Sequence, residues 1–348
     1  MSATNTLRPQ FASHSKLMIA ALLLCLSFGG VHTARAAQMG GQNTAPPAQK
    51  LFSFPEEALQ ALESAVKAKD RAALGAIFGP DNEKLESGDA VEDNNALDNF
   101  ALRLAESATL KKVNDSKYTL VVGAEKYPFP IPLVKQGEQW RFDTAAGLEE
   151  LLNRRIGENE LSAILTCRAY VLAQWQYYTE SKDTAKDGLA VYAQKFLSTP
   201  GTHDGLYWDT ALNEEPSPLG ALVAHARAEG YTPGQQRTGG ETPTAAGASD
   251  DAPQQPRSPY HGYFFKILTR QGPHAPGGRF SYIINGNMIA GYALIAWPAK
   301  WGSSGVMTFI VNNQGRIYEK NLGPNTAAIA AAITEYDPDP SWTLVKEE

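Results

Sequence analysis

The chain has 348 residues, which is enough for two domains on the usual scale of about 100 to 200 residues each. Its 31 basic and 37 acidic side chains give a formal net charge of −6. An acidic chain lacks the basic surface that phosphate backbones require, so nucleic acid is excluded as an expected partner.

The N-terminus has the pattern of a secretory signal peptide. Arg8 and Lys16 precede an apolar run over residues 17–28, and the small-residue motif Ala34-Arg35-Ala36 follows. The run is shorter than the roughly 20 residues of a transmembrane helix. We therefore predict that residues 1–36 are cleaved and that the mature chain, without an integral membrane span, is exported to the bacterial periplasm or exterior. An uncleaved anchor is the alternative.

The chain contains two cysteines. Cys25 lies within the apolar run and follows leucines, whereas a lipidated cysteine follows a small residue, so a lipid anchor is the weaker alternative. Removal of residues 1–36 takes away three basic and no acidic residues, which lowers the net charge from −6 to −9. It leaves Cys167 without a disulfide partner in the chain. Cys167 shares a helical side with Ile164 and Val171, which predicts a buried, inert thiol.

The first half of the mature chain predicts a small α+β domain over residues 51–155, after a flexible leader at 37–50. Ser53 and Glu56 have capping-box spacing, Asp70 is positioned to cap a second helix, and apolar residues from Leu97 to Leu104 indicate a third. Segments 117–123, 127–135 and 138–143 then read as antiparallel strands. The curved cone fold of nuclear-transport-factor-like proteins is one candidate by analogy.

The second half, residues 156–348, predicts a long helix packed on an antiparallel meander. Helices are expected over 158–181, 188–197, 217–228 and 326–335, and strands over 262–269, 279–284, 288–297, 305–312 and 316–320. Asn285-Gly286 is a hairpin-turn signal. Residues 231–258 lack large apolar side chains, so we expect a disordered insertion there.

Several motifs resemble a bacterial secreted family known as domain of unknown function 2950. They are Phe196-Leu-Ser-Thr-Pro-Gly201, His203-Asp-Gly-Leu-Tyr-Trp208, Pro259-Tyr-His-Gly-Tyr-Phe-Phe-Lys-Ile-Leu-Thr-Arg-Gln-Gly-Pro273, Ala275-Pro-Gly-Gly278, Ala296-Trp-Pro-Ala299, Ser304-Gly-Val-Met-Thr-Phe-Ile-Val311, Leu322-Gly-Pro-Asn-Thr326 and Asp337-Pro-Asp-Pro-Ser-Trp342. The resemblance covers most of the mature chain. It implies a periplasmic setting and supplies no activity or catalytic residue.

A weaker resemblance concerns shape. A long helix, the segment Asp204-Gly-Leu-Tyr-Trp208 and a following antiparallel sheet are similar to the head domain of type IV pilins and pseudopilins. The long helix here lacks the apolar N-terminal half that anchors pilins. The resemblance therefore implies a pilin-head-like fold and no pilin function.

Aromatic residues are dense in the second half of the chain. Strand alternation sends about half of such residues to each sheet face, where exposed rings can stack on a glycan or peptide. The candidate binding residues are Trp208, Tyr263, Trp297, Trp301, His203 and His261, and Trp301 is expected at a loop tip. The competing and preferred interpretation is that both sheet faces are covered, one by the long helix and the other by the N-terminal domain or loops.

Function is the least determined property. We expect a non-enzymatic periplasmic binding or envelope-associated protein, whose partner is an envelope protein, glycan or peptide. The alternative is a hydrolase of envelope material that uses His203, Asp204 and His261, although Asp204-Gly205 is also a plain turn signal. No complete catalytic motif, metal site or cofactor motif is found in the sequence, so none is predicted.

The signal layout makes a prediction about processing. Protein recovered from the periplasm of an expressing bacterium should begin at or near Ala37, because signal peptidase cuts after the small-residue motif. Intact mass spectrometry measures this directly. A species that retains residues 1–36, or that carries acyl chains on Cys25, would contradict the prediction.

Overall fold

The computed structural model describes residues 49–184, 188–211, 213–232 and 258–346. The predicted signal peptide, almost all of the leader and most of the insertion at 231–258 lie outside these ranges. The described residues form helices and antiparallel sheets, which confirms the α+β class. Within these ranges, none of the helices combines the length and apolarity that a membrane crossing requires.

Three helices and a 3₁₀ segment open the described chain. They are α1 (Pro55–Lys67), α2 (Arg71–Phe78), the 3₁₀ segment (Gly79–Leu85) and α3 (Ala90–Glu106). Asp70 caps α2 as predicted, by accepting a hydrogen bond from the Ala73 N–H at 2.9 Å. The capping box at Ser53 is wrong, because the Ser53 N–H donates to Glu57 and the hydroxyl caps nothing.

A five-stranded antiparallel sheet follows these helices. Its strands are β1 (Ala108–Asn114), β2 (Lys117–Val122), β3 (Tyr127–Pro128), β4 (Leu133–Gln136) and β5 (Gln139–Phe142). Their order is β1-β2-β4-β5, with β3 paired to β2. Trp140 and Phe142 are both buried, as the alternation of β5 predicted. They join Leu62 and Ile77 in a first hydrophobic core.

The long helix, α4 (Thr144–Thr184), has 41 residues and starts well before the predicted residue 158. Its first residue, Thr144, donates from its hydroxyl to the Phe78 carbonyl at 2.7 Å. The middle of the helix packs Ala163, Cys167 and Tyr170 into a second core. One helix therefore belongs to both cores.

The helix predicted at 188–197 is wrong. This segment has an irregular backbone, and Leu197 forms an isolated parallel bridge with Tyr207. The buried Gln174 side chain bonds both backbone groups of Ala193, accepting from its N–H at 2.9 Å and donating to its carbonyl at 2.8 Å. These tertiary bonds replace the hydrogen bonds that a helix would have made.

The C-terminal part is built on a second five-stranded antiparallel sheet. Its elements are α5 (Gly220–Ala228), β6 (Tyr263–Leu268), β7 (Arg270–Gln271), β8 (Phe280–Ser281), β9 (Ile283–Ile284), β10 (Asn287–Met288), β11 (Ala293–Pro298), β12 (Met307–Asn312), β13 (Ile317–Asn321), α6 (Thr326–Ala332) and β14 (Thr343–Leu344). The sheet order is β14-β13-β12-β11-β6. β9 and β10 pair across Asn285-Gly286, both at positive φ, as the turn signal predicted.

Both faces of this sheet are covered. Helix α4 packs on β11 and β12, and α6 packs on β11. All residues of β11 are buried. Burial raises the pKa of the Cys167 thiol to about 12, which agrees with the predicted inert cysteine. The predicted strands 279–284 and 288–297 are too long, since the chain breaks into short pairs around the buried Tyr282.

Two glycines of α4 provide a matched test of how the helix meets the first core. A Cβ atom on Gly147 would lie 2.7 Å from the backbone of Ile131, whereas one on Gly157 would meet open space. We expect Gly147→Ala to lower the free energy of unfolding by about 2 kcal/mol through overpacking. Gly157→Ala should raise it by about 0.5 to 1 kcal/mol through helix propensity.

Denaturant unfolding of the three proteins measures both changes. Equal effects from the two substitutions would contradict the close contact between α4 and the strand connection at residues 130–131.

Candidate functional site

The predicted aromatic binding surface is not exposed. Tyr263 and Trp297 lie on the paired strands β6 and β11 and are 0% and 4% exposed. The Tyr263 hydroxyl donates to the Met307 carbonyl at 2.9 Å. These two residues are corrected to core positions, because helices cover both sheet faces.

Trp301 does not project freely from a loop tip, because it is fixed by contacts within the protein. It is half-buried in a tight turn, and its indole N–H donates to the Asn321 side chain at 3.0 Å. The same loop docks on the 3₁₀ segment, where the Ser303 hydroxyl donates to the Glu86 carbonyl at 2.8 Å. The Trp301 ring therefore belongs to a packed turn.

His203, Asp204 and Trp208 form a compact surface turn. The His203 ring stacks on the Trp208 ring with centroids 4.2 Å apart. Asp204 contacts Lys195 at 2.6 Å and accepts bonds from Thr199, which together hold the pKa of its carboxyl well below the usual range. An aspartate held ionised in this way stabilises the turn and is a poor proton shuttle.

A large cleft lies elsewhere, between the N-terminal helices and the start of α4. Its volume is about 780 Å³, within the range of small-molecule sites. Its apolar lining includes Leu74, Phe78, Leu97, Phe100, Phe129, Ile131 and Leu151. The Phe100 and Phe129 rings stack with centroids 4.9 Å apart. This stacked pair of rings is the aromatic part of the lining, called here the aromatic floor of the cleft.

The polar lining of the cleft is acidic. Six carboxylates and three arginines line it. The acids are Glu86, Glu92, Asp93, Asp98, Glu158 and Glu229, and the arginines are Arg71, Arg154 and Arg155. Each arginine already has a partner within the protein, since Arg71 bonds Asn94, Arg154 bonds Glu150 and Arg155 lies 3.7 Å from Glu92. The lining therefore has three more carboxylates than arginines.

Glu92 on α3 is the most perturbed acid in the cleft wall. Its carboxylate accepts hydrogen bonds from the Asn159 amide of α4 at 3.1 and 3.2 Å. Burial raises the pKa of Glu92 from 4.5 to about 7, while the Asn159 hydrogen bond and the Arg155 charge oppose the rise. Glu92 therefore changes charge near neutral pH.

Asp89 ties this wall to the C-terminal sheet. One carboxylate oxygen caps α3, and the other accepts from the Tyr231 hydroxyl and the Gly262 N–H, both at 3.0 Å. A Cβ on Gly262 would lie 2.6 Å from the Asn159 amide, so only glycine fits there. The neighbouring His261 takes a positive φ of 45°.

His261 is the one predicted site residue on the cleft wall. Its Nε2 lies 3.0 Å from the buried Oε2 of Glu229, so the ring and the carboxylate form a close pair. In the described part of the chain, His203 and Asp204 make their contacts with residues other than His261 and Glu229. The three residues of the hydrolase hypothesis are therefore not assembled into one constellation.

The residue types of the lining define what the cleft can hold. The lining contains no cysteine, serine or threonine, while carboxylates, tyrosines and His261 are present. Among the described residues, no three His, Cys, Asp or Glu side chains group as a metal ion would need. The arrangement can hold an apolar group on the aromatic floor and a positive group at the carboxylates.

Sequence reasoning missed Asp89, Glu92, Arg155 and Asn159. One signal was available, because Asn159 precedes Ala163 and Cys167 on the inner face of the predicted helix. A lone amide on an apolar helix face indicates a buried polar contact. The partner of that amide, Glu92, lies 67 residues away and carries no local signal.

Fold and site together define an α+β protein with a ligand-sized cleft between its helices. A family model described as "Protein of unknown function (DUF2950)" matches residues 49–345. The chain belongs to this family, as its motifs indicated. No curated protein and no solved structure gives a significant match, and the cone-like and pilin-head-like analogies stay predictions.

The raised pKa of Glu92 predicts a pH dependence of stability. The folded state holds the proton more tightly than the unfolded chain, so stability falls as pH rises from about 4.5 through 7. The loss is on the order of 3 kcal/mol between pH 4.5 and pH 8. Glu92→Gln cannot titrate, so its free energy of unfolding should fall less across this range.

Denaturant unfolding at several pH values measures the difference. Glu149→Gln, an exposed residue on α4, is the matched control and should keep the wild-type profile. Parallel profiles for Glu92→Gln and the wild type would show that Glu92 does not titrate in this range.

Proposed function

We propose that this chain is an exported, non-enzymatic binding protein of the bacterial envelope. Its ligand is a peptide segment that carries an apolar side chain beside a positive charge. The observation that supports this most strongly is the cleft of about 780 Å³ with an aromatic floor and an acidic wall. The signal-peptide pattern of residues 1–36 supports the export.

The apolar part of the ligand is assigned to the Phe100 and Phe129 rings. Aromatic rings in a concave site contribute large contact areas, and truncating such a ring usually costs more than removing a peripheral polar group. Phe100 lies on α3 and is half-buried, so one side of it faces the cleft. A leucine, phenylalanine or similar side chain fits this floor better than a sugar hydroxyl does.

The charged part of the ligand is assigned to the carboxylates of the rim. Six carboxylates line the cleft against three arginines, and each arginine has a partner within the protein. A lysine or arginine side chain, or a terminal amine, supplies donors to carboxylate oxygens. An acidic peptide would be repelled.

The hydrolase alternative has one supporting contact, the approach of His261 to Glu229 at 3.0 Å. Such a pair can act as a general acid–base couple. His203 and Asp204 belong to the surface turn, so this alternative reduces to the His261 pair alone. If it holds, the bound peptide should be cleaved and His261→Ala should abolish the cleavage.

Titration calorimetry with synthetic peptides tests the binding proposal. The probes are short peptides of equal length that combine leucine or phenylalanine with lysine, the same apolar residues with glutamate, or lysine with polar residues only. We expect the first to bind best. Phe100→Ala should weaken its binding by about tenfold or more, because the floor loses a ring.

Matched variants control for indirect effects. Leu102→Ala removes an exposed leucine from the same helix outside the cleft and should leave binding unchanged. Asp98→Asn should weaken binding of the lysine peptide, whereas Asp115→Asn, another acid that pairs with a lysine, should not. Equal binding of the glutamate peptide, or full binding to a folded Phe100→Ala protein, would refute the proposal.

A further inference from the structure

The solvent side of α4 carries an apolar stripe that the described part of the chain leaves largely exposed, although the Trp175 ring makes edge contacts with Tyr178 and Tyr192. Leu161, Leu165, Leu172 and Trp175 are 62%, 61%, 71% and 47% exposed. They lie opposite Ala163, Cys167 and Tyr170, which pack into the second core. An exposed stripe of large apolar side chains usually marks an interaction surface.

The stripe is part of a longer coiled-coil seam. Its positions follow one another at spacings of four and three residues: Arg154, Glu158, Leu161, Leu165, Arg168, Leu172 and Trp175. This is the a/d spacing of a helix that packs along another helix. Residues 233–257 contain no aromatic residue and no leucine, isoleucine or valine, so that segment cannot supply the partner side chains.

Three positions of the seam are charged: Arg154, which pairs with Glu150, and Glu158 and Arg168. Glu158 and Arg168 are both exposed, and no ion pair joins either of them to another described residue. In an antiparallel coiled coil, an a position faces a d position of the partner helix. If the two-fold axis passes between Leu161 and Leu165, each Glu158 faces an Arg168. A parallel pair would place like charges together.

We propose that the occupant of this seam is a second copy of the same chain, packed through α4 in an antiparallel, two-fold symmetric dimer. Leu161 of one copy meets Leu165 of the other at the centre. On each side of this centre, Glu158 of one copy meets Arg168 of the other. These two ion pairs fix the orientation and register of the helices.

The same register brings Leu172 and Trp175 of one copy towards Arg154 and Leu151 of the other. Leu151 and Arg154 line the rim of the cleft. Each copy therefore extends the wall of the other copy's cleft with an indole ring. The dimer proposal is independent of the proposed ligand. The oligomeric state is measured without any peptide, so the two proposals can fail separately.

The test measures the mass of the protein recovered from cells that express the full chain, by sedimentation velocity at several concentrations. The wild type should dimerise in the micromolar range. Arg168→Glu and Glu158→Arg should each raise the dimer dissociation constant by about tenfold or more, since each places like charges in contact. The double variant Glu158→Arg, Arg168→Glu should restore dimerisation.

Leu165→Glu should also yield a monomer, because it places charge at the centre of the seam. Leu102→Glu is the matched control, since Leu102 is equally exposed on α3 and lies outside the seam. Circular dichroism of each variant checks that the fold is intact. A monomeric wild type, or a dimer that both folded charge reversals leave unchanged, would overturn the proposal.

Discussion

The structure depends on one continuous helix that serves two hydrophobic cores. The first turns of α4 press Gly147 against the backbone at residues 130–131, and its middle turns pack under the second sheet. A 41-residue helix is a stiff element about 60 Å long. Because the same rod enters both cores, the wall that it forms along the cleft keeps a fixed orientation to the sheet.

The second determinant is a buried polar junction beside that helix. Asp89 accepts hydrogen bonds from the Tyr231 hydroxyl and the Gly262 N–H, and Glu92 accepts from the Asn159 amide. Burying such groups is unfavourable unless each finds its partner, so the junction selects one geometry more than it adds stability. The raised pKa of Glu92 reflects the unfavourable burial of its carboxylate. The acid is kept in a poorly solvated place because it joins α3 to α4.

Local signals in the sequence predicted much of the fold. The Asp70 cap, the Asn285-Gly286 turn and the buried Trp140 depend only on neighbouring residues. The failures have a tertiary origin. Segment 188–197 has a plausible helical pattern, but Gln174 takes both backbone groups of Ala193. The family resemblance was found from motifs and is confirmed by the family match.

The candidate site was much less predictable. Aromatic density suggested an exposed surface around Tyr263 and Trp297, but the helices on both sides of the sheet bury these rings. The cleft draws its lining from α2, α3, α4 and the chain near His261, so its residues are far apart in sequence. No pattern within a short window reveals such a set. Of the binding residues named from the sequence, His261 is the one that lies in the lining of the cleft.

The buried Cys167 bears on how this chain would pass through an oxidising compartment. Thiol–disulfide exchange requires a thiolate that a second sulfur can reach, and burial both raises the pKa of the Cys167 thiol and shields its sulfur. The folded protein is therefore a poor substrate for disulfide-forming enzymes and for small disulfides. Packing under the sheet protects the thiol from mixed disulfides.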